Sequence, residues 1–386
     1  MNLNFEFATA TRILFGAGMA ARLGENAKSH GHRALVVTGA NPHRAGRLLA
    51  NLAANGIPTT TFAVSGEPEI ATVENGTALA KSAQCDYVIS LGGGSVIDAG
   101  KAIAAMMKND GRLLDYLEII GGGQTLKKRS APFIAIPTTA GTGAEVTRNA
   151  VLASPEHKLK VSLRSPKMLP YVALIDPELT YDLPPALTAS TGLDALTQLI
   201  EPYVCLRANP MTDAYCIDGI RRAARSLREV VFNGQNKSAR EDLSLASLFG
   251  GLALANAGLG AVHGFAGPIG GMFPAPHGAV CAALLPHVMA ANIKALRERS
   301  PQSSTLGRYQ HIASLLTGDP QATADDGVAW VQKLVSDLPV LRLNTYGIRE
   351  EHVADIVAKA ANASSMKANP VVLTAAELSQ TLRLAL

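Results

Sequence analysis

Three segments in the second half of the chain carry side chains that can bind a metal ion. Asp194 and Gln198 stand four residues apart, so a helix would place both on one face. His263 lies in an apolar, glycine-rich run, and His277 stands between a proline and a glycine. Together, Asp194, His263 and His277 would form a set of one carboxylate and two imidazoles with open positions, which suits a catalytic Fe(II) or Zn(II) ion.

Each of these residues also has a purely structural interpretation. Asp194 could be the third residue of a helix that Thr191 caps, and Gln198 could be an ordinary helix residue. His263 could be a hydrogen-bonded core histidine, and His277 a loop histidine. Because periodicity does not require the four side chains to converge, these residues alone leave both interpretations open.

A glycine-rich turn in the first half has the composition of a phosphate-binding site. Gly92, Gly93 and Gly94 separate a strand-like run from a helix-like run, and Ser95 follows them. Without side chains, the backbone can approach a phosphate and present N–H groups to it, and a helix N-terminus adds partial positive charge. Ser95 and Asp98 have the spacing of a capping box. The alternative is a tight turn that needs glycine only for its own geometry.

A second turn, Pro137–Glu145, follows another strand-like run. The hydroxyls of Thr138, Thr139 and Thr142 could line the edge of a cofactor, and Thr142 and Glu145 have capping-box spacing. Two such turns at the carboxyl ends of parallel strands are where open α/β sheets bind ligands. A G-x-G-x-x-G fingerprint near the N-terminus and a Walker A motif are both absent, which argues against a standard Rossmann site and a nucleotide hydrolase.

These residues must be positioned by two kinds of structure. The first half alternates strand-like and helix-like runs, which predicts a parallel sheet covered on both faces; the strands are 34–38, 59–64, 87–91 and 132–136, and the helices 45–55, 72–83 and 95–108. After Leu183 the strand signals stop and helical spacing continues to the end. We therefore predict an α/β domain over 1–182 and a helical domain over 183–386, with exposed links at 236–240 and 300–304.

Composition narrows the class of protein. The chain has 386 residues, 47% hydrophobic, with a formal charge of +4 from dispersed basic residues. We expect a large core and no nucleic-acid partner, membrane span or signal peptide. The four cysteines are widely spaced and form no C-x-x-C pair, which favours buried reduced thiols over a disulfide or a cysteine metal site, and a cytoplasmic location.

Five short motifs, in order along the whole chain, point to one family. They are Gly92–Ser95 with Asp98 and Lys101, Pro137–Gly143, Asp194–Thr197, His263–Ala266 with Pro268, and Pro276–Gly278. Together they resemble the signatures of the iron-containing alcohol dehydrogenases. The resemblance implies an N-terminal α/β dinucleotide-binding domain with a parallel sheet and an all-α C-terminal domain, an architecture similar to that of dehydroquinate synthase. It places the active site in the cleft between them.

The resemblance also implies residue roles. Gly92 belongs to the glycine turn, in which Gly93, Gly94 and Ser95 would hold the pyrophosphate of NAD or NADP. Three further groups of residues are implied: Thr138, Thr139 and Thr142 beside the adenosine and nicotinamide, Asp98 and Lys101 near the cofactor, and Asp194, His263 and His277 on a catalytic divalent metal, iron or zinc. The metal would polarise the substrate oxygen while hydride passes to or from the nicotinamide.

The sequence departs from the family pattern at three positions. Gln198 stands where the family usually has a metal-binding histidine, so we expect it to be a weaker, uncharged oxygen ligand. Gly267 stands where the family often has a proton-relaying histidine, so another group or water must serve. Gly39 replaces an acidic residue after the first strand that would repel a 2′-phosphate, and Arg44 is nearby. We therefore expect NADPH to be tolerated. Three ligands suffice for a catalytic metal, and a site that has lost its metal is the alternative.

We expect an NAD(P)-dependent dehydrogenase acting on a small alcohol, aldehyde or ketone. The alternative within the fold is a maleylacetate reductase-like or phosphonate-linked reductase acting on an anionic carbonyl compound. A lyase similar to dehydroquinate synthase would need more basic and polar groups than the motifs supply, and a nucleotide-binding sensor would lack turnover. By analogy with the family, we expect a homo-oligomer, a dimer that could form through residues 12–15.

Overall fold

The chain forms two compact units. A computed structural model describes residues 4–386, and each unit has its own core. The sheet unit comprises residues 8–139 and 143–181, and the helical unit comprises residues 182–386 together with 4–7 and 140–142. The family's α/β domain followed by a helical domain is thus present.

One parallel sheet forms the centre of the sheet unit. Its strand order is β1-β8-β5-β4-β2-β3, and every neighbouring pair is parallel. The central strands β4 and β5 are buried along their whole length, as expected for apolar runs covered on both faces. The six strands are β1 (Arg12–Phe15), β2 (Ala34–Gly39), β3 (Thr59–Val64), β4 (Tyr87–Gly92), β5 (Phe133–Pro137) and β8 (Val172–Ile175).

Four helices and a hairpin complete the sheet unit. The helices are α1 (Leu23–Ala27), α2 (Gly46–Ala54), α3 (Ile70–Ser82) and α4 (Gly94–Met106), and the antiparallel hairpin is β6 (Asn149–Ser154) and β7 (Leu159–Arg164). Helix α4 approaches β4 so closely that a Cβ at Gly100 would lie 1.9 Å from Ser90 Oγ, which only glycine avoids. The predicted strands and helices are all present within a few residues. Strand β1 coincides with residues 12–15, which were expected to form a strand only by analogy with the family. Strands β6, β7 and β8 were not predicted, because they are short or half-buried and lack long apolar runs.

The helical unit contains nine α-helices and no strand of the described chain. Their apolar faces enclose a single large core in which α5 and α9 are the most deeply buried long helices. The helices are α5 (Pro185–Val204), α6 (Pro210–Phe232), α7 (Lys237–Asn256), α8 (Ala261–Met272), α9 (His277–Arg299), α10 (Ser304–Thr317), α11 (Ala324–Asp337), α12 (Val353–Ala361) and α13 (Ala375–Ala385).

Several local predictions were wrong. Helix α4 is capped by Gly93 without a side-chain bond, so Ser95 does not form a capping box. Gly143 precedes a single 3-10 turn in place of the box predicted at Thr142. The structural alternative for Asp194 also fails, because Thr191 lies inside α5, where its hydroxyl donates to Leu187 O, and does not cap a helix that begins there. The predicted exposed link at 236–240 is the N-cap and first turn of α7, in which Lys237 and Ser238 are exposed but Ala239 and Arg240 are buried.

One helix of residues 4–386 is long and apolar enough to cross a membrane. It is α9, and 78% of its most apolar window is buried inside the protein. A bent pair, α7 with α8, passes the same test only if it is counted as one span.

Candidate active site

Three polar side chains lie on one buried face of α5. Asp194, Gln198 and Glu201 follow each other at intervals of four and three residues, the spacing of one helix face, and all three are buried. The apolar residues of the same helix pack into the core of the helical unit. A helix that buries two carboxyl groups and an amide needs partners for them in the adjoining helices.

Glu201 connects α5 to the first turn of α8. Its Oε1 accepts a hydrogen bond from Val262 N at 2.7 Å, and its Oε2 lies 2.7 Å from His263 Nδ1. Asn369 Oδ1 accepts from Ala261 N at 3.1 Å. Two N–H groups at the start of α8 are thereby satisfied. Because Nδ1 faces a carboxylate, it carries the proton, and Nε2 of His263 is left to face the interior of the site.

Four donor atoms from α5, α8 and α9 converge. Asp194 Oδ1 lies 3.5 Å from His263 Nε2 and 3.6 Å from His277 Nε2. Cys281 Sγ lies 3.9 Å from His263 Nε2 and 3.7 Å from His277 Nε2. All four atoms lie within 4.8 Å of one another. The predicted convergence of Asp194, His263 and His277 is therefore what the fold produces.

The electrostatics of this cluster favour a cation. Burial opposes ionisation of Asp194, but His277, His263 and Gln198 outweigh burial and lower the pKa of its carboxyl. Burial likewise opposes protonation of His263, but Cys281, Asp194 and Glu201 raise its pKa well above the usual value. The cluster therefore stabilises positive charge at its centre.

The donor set fits a divalent metal. Asp194 Oδ1 and Gln198 Oε1 are both buried side-chain oxygens without a hydrogen-bond partner in the described chain. The 3.5 and 3.6 Å separations between Asp194 Oδ1 and the two imidazole nitrogens exceed the usual hydrogen-bond length of about 3 Å. Buried acceptors are rarely left unpaired, so an oxygen orphaned between two imidazoles and a thiol indicates a place for an ion.

The glycine turn lies in the sheet unit, where strand ends meet. Gly92 pairs with Pro137 on β5, and on the other side of β4 the next strand is β2, which ends at Gly39. The chain leaves β2 toward β3 and β4 toward β5, so the strand order switches direction between β2 and β4. A Cβ at Gly93 would lie 3.5 Å from Thr139, which shows that the two predicted turns adjoin. Ligands of open α/β sheets bind at such a switch point.

Known proteins resemble the chain along its whole length. Residues 10–177 match the family model described as iron-containing alcohol dehydrogenase, and residues 188–386 match its C-terminal domain. The chain belongs to the iron-containing alcohol dehydrogenase family. It is 37% identical over 372 residues to 1,3-propanediol dehydrogenase of Klebsiella pneumoniae, covering 94% of each chain. It is 32% identical to the NAD-dependent methanol dehydrogenase of Bacillus methanolicus, covering 99% of this chain and 100% of the relative.

The fold is that of solved members of the family. A crystal structure of a 1,3-propanediol oxidoreductase superimposes with a TM-score of 0.91 at 34% identity, covering 99% of this chain and 100% of that one. The chain is thus an alcohol dehydrogenase that uses NAD(P) and a divalent metal. These matches give no specific support to the alternative of a reductase for anionic carbonyl compounds.

Two residues predicted to lie near the cofactor, Lys101 and Asp98, are hydrogen-bonded to the segment 144–151. Lys101 is fully buried, and its ammonium donates to Ala144 O, Thr147 Oγ1 and Asn149 O at 2.8, 3.0 and 2.7 Å. Asp98 Oδ2 accepts from Val151 N at 3.0 Å. These bonds use the three donors of the lysine, so they favour a role in fixing α4 to the following segment. Cofactor contact by Asp98 and Lys101 stays a prediction.

The second turn is divided between the two units. Thr138 and Thr139 belong to the sheet unit, whereas residues 140–142, with Thr142, belong to the helical unit. Gly141 packs against α5, where a Cβ would lie 2.8 Å from Thr191 Cβ and 3.0 Å from Thr191 O. Glycine is required there by close approach. The cofactor roles of the three threonines stay predictions.

Sequence reasoning missed Glu201 and Cys281. Both follow a predicted ligand at helical spacing: Glu201 stands seven residues after Asp194, and Cys281 four residues after His277. That spacing was the available signal. The thiol of Cys281 is buried and reduced, as predicted for all four cysteines, but its sulfur faces the ligand cluster.

Proposed function

We propose that Asp194, His263 and His277 hold the catalytic metal of this alcohol dehydrogenase. The unpaired buried oxygen of Asp194, facing the Nε2 atoms of both histidines, is the observation that carries the proposal. The metal supplies Lewis-acid polarisation of the substrate oxygen. Glu201 fixes the ring of His263, as carboxylate partners of ligand histidines do.

Substrate would reach the centre from the side of His277. The His277 side chain is 34% exposed, whereas those of Asp194 and His263 are 2% and 7% exposed. The buried residues therefore exclude water from the rear of the site. Gly267, one turn after His263 on α8, leaves space in which a Cβ would touch nothing within 4 Å. A proton from an alcohol would leave by water there, since no side chain at 267 can relay it.

The cofactor would lie along the carboxyl edge of the sheet. We assign the pyrophosphate to the backbone of Gly93, Gly94 and Ser95 at the N-terminus of α4, where N–H groups and the helix dipole favour an anion. At Gly39 a Cβ would meet only Val96, at 4.0 Å, so packing does not demand glycine there. We infer that the missing acidic side chain matters for the cofactor, and that NADPH is accepted beside NADH.

The substrates are expected to be small primary alcohols and diols with their aldehydes. The relatives named for 1,3-propanediol and methanol support this choice. We further assign NAD(P) binding to residues 1–182 and metal and substrate binding to 183–386, and we place the protein in the cytoplasm as a dimer. Strand β1 lies at the edge of the sheet and pairs only with β8 within the described chain, so its outer edge is free to pair with a second copy.

Cofactor oxidation tests this function directly. Purified protein loaded with zinc or iron should oxidise NADH, and also NADPH, when short aldehydes are added. Elemental analysis should give about one metal per chain. Turnover confined to anionic carbonyl compounds would favour the alternative reductase, and a lyase or a sensor would show no net oxidation of either cofactor.

A further inference from the structure

Cys281 brings a fourth donor atom to the proposed metal site. It lies one turn after His277 on α9, and its sulfur is 3.7 Å from His277 Nε2 and 3.9 Å from His263 Nε2. The side chain is buried and carries a free thiol. The unpaired oxygen of Asp194, itself buried, lies within 4.8 Å of its sulfur.

The distances match the edges of a tetrahedron around one ion. Metal–nitrogen and metal–oxygen bonds of about 2.0 Å and a metal–sulfur bond of about 2.3 Å predict N···O edges of about 3.3 Å and N···S edges of about 3.5 Å. The observed N···O separations are 3.5 and 3.6 Å, and the N···S separations are 3.7 and 3.9 Å. Small side-chain movements would therefore bring all four atoms into coordination.

Gln198 is the competing fourth ligand. Its amide oxygen, Oε1, is buried without a hydrogen-bond partner in the described chain. Its oxygen is neutral, and it would compete with a sulfur that carries full negative charge when deprotonated.

We propose that the thiolate of Cys281, and not the amide of Gln198, is the fourth protein ligand, so that the site is an Asp-His-His-Cys centre selecting zinc over iron. This rests on the proposed function, which already places Asp194, His263 and His277 on the metal. One carboxylate and one thiolate would neutralise a divalent cation. Thiolate is a soft donor, which shifts a mixed nitrogen and oxygen site toward zinc. On binding, the Cys281 S–H bond breaks, its electron pair bonds the metal and the proton passes to solvent.

X-ray absorption at the zinc edge is the direct test. The zinc-loaded wild-type protein and Gln198→Ala should both show one sulfur neighbour at about 2.3 Å, and Cys281→Ser should lose it. Cys205→Ala is the matched control, because Cys205 is another buried thiol of the helical unit and should leave the sulfur shell unchanged. Reconstitution with cobalt gives the same answer optically, since only a thiolate ligand adds a sulfur-to-metal charge-transfer band.

The affinities separate the two candidate ligands. Cys281→Ser should bind zinc at least 100-fold more weakly in chelator competition, whereas Gln198→Ala should lose less than tenfold. Bound zinc without a sulfur neighbour in the wild type would overturn the assignment of Cys281 but leave the proposed function intact. A wild-type protein that binds neither zinc, iron nor cobalt would overturn both. If Cys281→Ser fails to fold, the sulfur shell of the wild type and of Gln198→Ala still decides the question.

Discussion

The two units bury carboxyl groups in opposite electrostatic states. In the sheet unit, burial raises the pKa of Glu145 to about 7, even though Lys101 lies near it. In the helical unit, the pKa of Asp194 is lowered despite complete burial, because His277, His263 and Gln198 favour its ionised form. One cluster thus tolerates a neutral carboxyl group, and the other is built around a charged one.

The hydrogen bonds of the two clusters explain the difference. Around Lys101, each ammonium hydrogen has an oxygen acceptor, so the cluster is complete without a ligand. Around Asp194, one carboxylate oxygen has no partner among the described residues. A polar cluster whose donors and acceptors are all hydrogen-bonded to one another stabilises the fold. A buried acceptor without a hydrogen-bond partner instead indicates a functional site. Burial alone does not distinguish the two.

Removal of a ligand should have the largest effect. His277→Ala should abolish metal binding and lower kcat by about 1000-fold or more, because the metal supplies most of the polarisation of the substrate oxygen. Elemental analysis and NADH oxidation would measure both losses on one sample. His287→Ala, on the same helix but outside the donor cluster, is the control and should retain both. Full metal content in His277→Ala would remove this residue from the ligand set.

The stability that Glu145 contributes should fall as pH rises, whereas the stability that an ion-paired carboxyl group contributes rises with pH. The folded pKa of Glu145 is about 7, above its ordinary value of 4.5, so its contribution to stability is complete below pH 4.5 and is lost as pH rises through 7. The unfolding free energy of Glu145→Gln, relative to that of wild type, should therefore rise by about 2 to 3 kcal/mol from pH 5 to pH 8. Urea unfolding at the two pH values measures this.

Glu74→Gln is the control for that experiment. Glu74 lies on α3 of the same unit and should show no such difference between the two pH values. If Glu145→Gln and wild type differed in unfolding free energy by the same amount at pH 5 and pH 8, Glu145 would be ionised at both pH values. The proposed contrast with Asp194 would then fail.

Loss of the Glu201 carboxylate, which orients the ring of His263, should weaken metal binding less than loss of a metal ligand. Glu201→Gln keeps an oxygen that accepts from Val262 N but replaces the carboxylate at His263 Nδ1 with a neutral amide. Metal affinity should fall about 10- to 100-fold, the usual effect of losing such a partner. Chelator competition measures it, and the conservative Glu201→Asp variant should recover part of the loss. Unchanged affinity in Glu201→Gln would make Glu201 only a cap for α8.

The sequence predicted the sheet unit well because its signals are local. Apolar runs and glycine turns are contiguous, so four strands and the phosphate-binding turn could be located from short windows. In the helical unit, the individual ligands could be found, but their convergence depends on how α5, α8 and α9 pack. Cys281 was assigned to the core because a buried thiol and a coordinating thiol have the same sequence context until the neighbouring imidazoles are placed.

Capping was the main local failure, and its cause is physical. Ser95 and Asp98 have the spacing of a capping box, yet Asp98 is half-buried and accepts from Val151 N, 53 residues away. That long-range bond replaces the local one. Gly93 is the N-cap of α4, and no side chain caps the N–H groups at the start of the helix.

The smallest predicted effects come from the glycine turn, where neighbouring positions should fail in different ways. A Cβ at Gly92 would lie 2.6 Å from two carbons of Val96, so Gly92→Ala should cost about 1 to 3 kcal/mol of stability. A Cβ at Gly93 would meet only Thr139, at the ordinary distance of 3.5 Å. Gly93→Ala should therefore fold normally but raise the KM for NADH about tenfold, equivalent to about 1.4 kcal/mol, with kcat unchanged at saturation.

This pair separates packing from cofactor contact within one turn. Urea unfolding and NADH titration would be measured for both variants, with Gly46→Ala as the control, since a Cβ at Gly46 touches nothing within 4 Å and lies outside the turn. If Gly93→Ala bound NADH like wild type while Gly92→Ala was destabilised, the turn would need glycine for packing alone. The pyrophosphate would then have to be held elsewhere on the sheet edge, because the helix N-terminus would no longer be its contact.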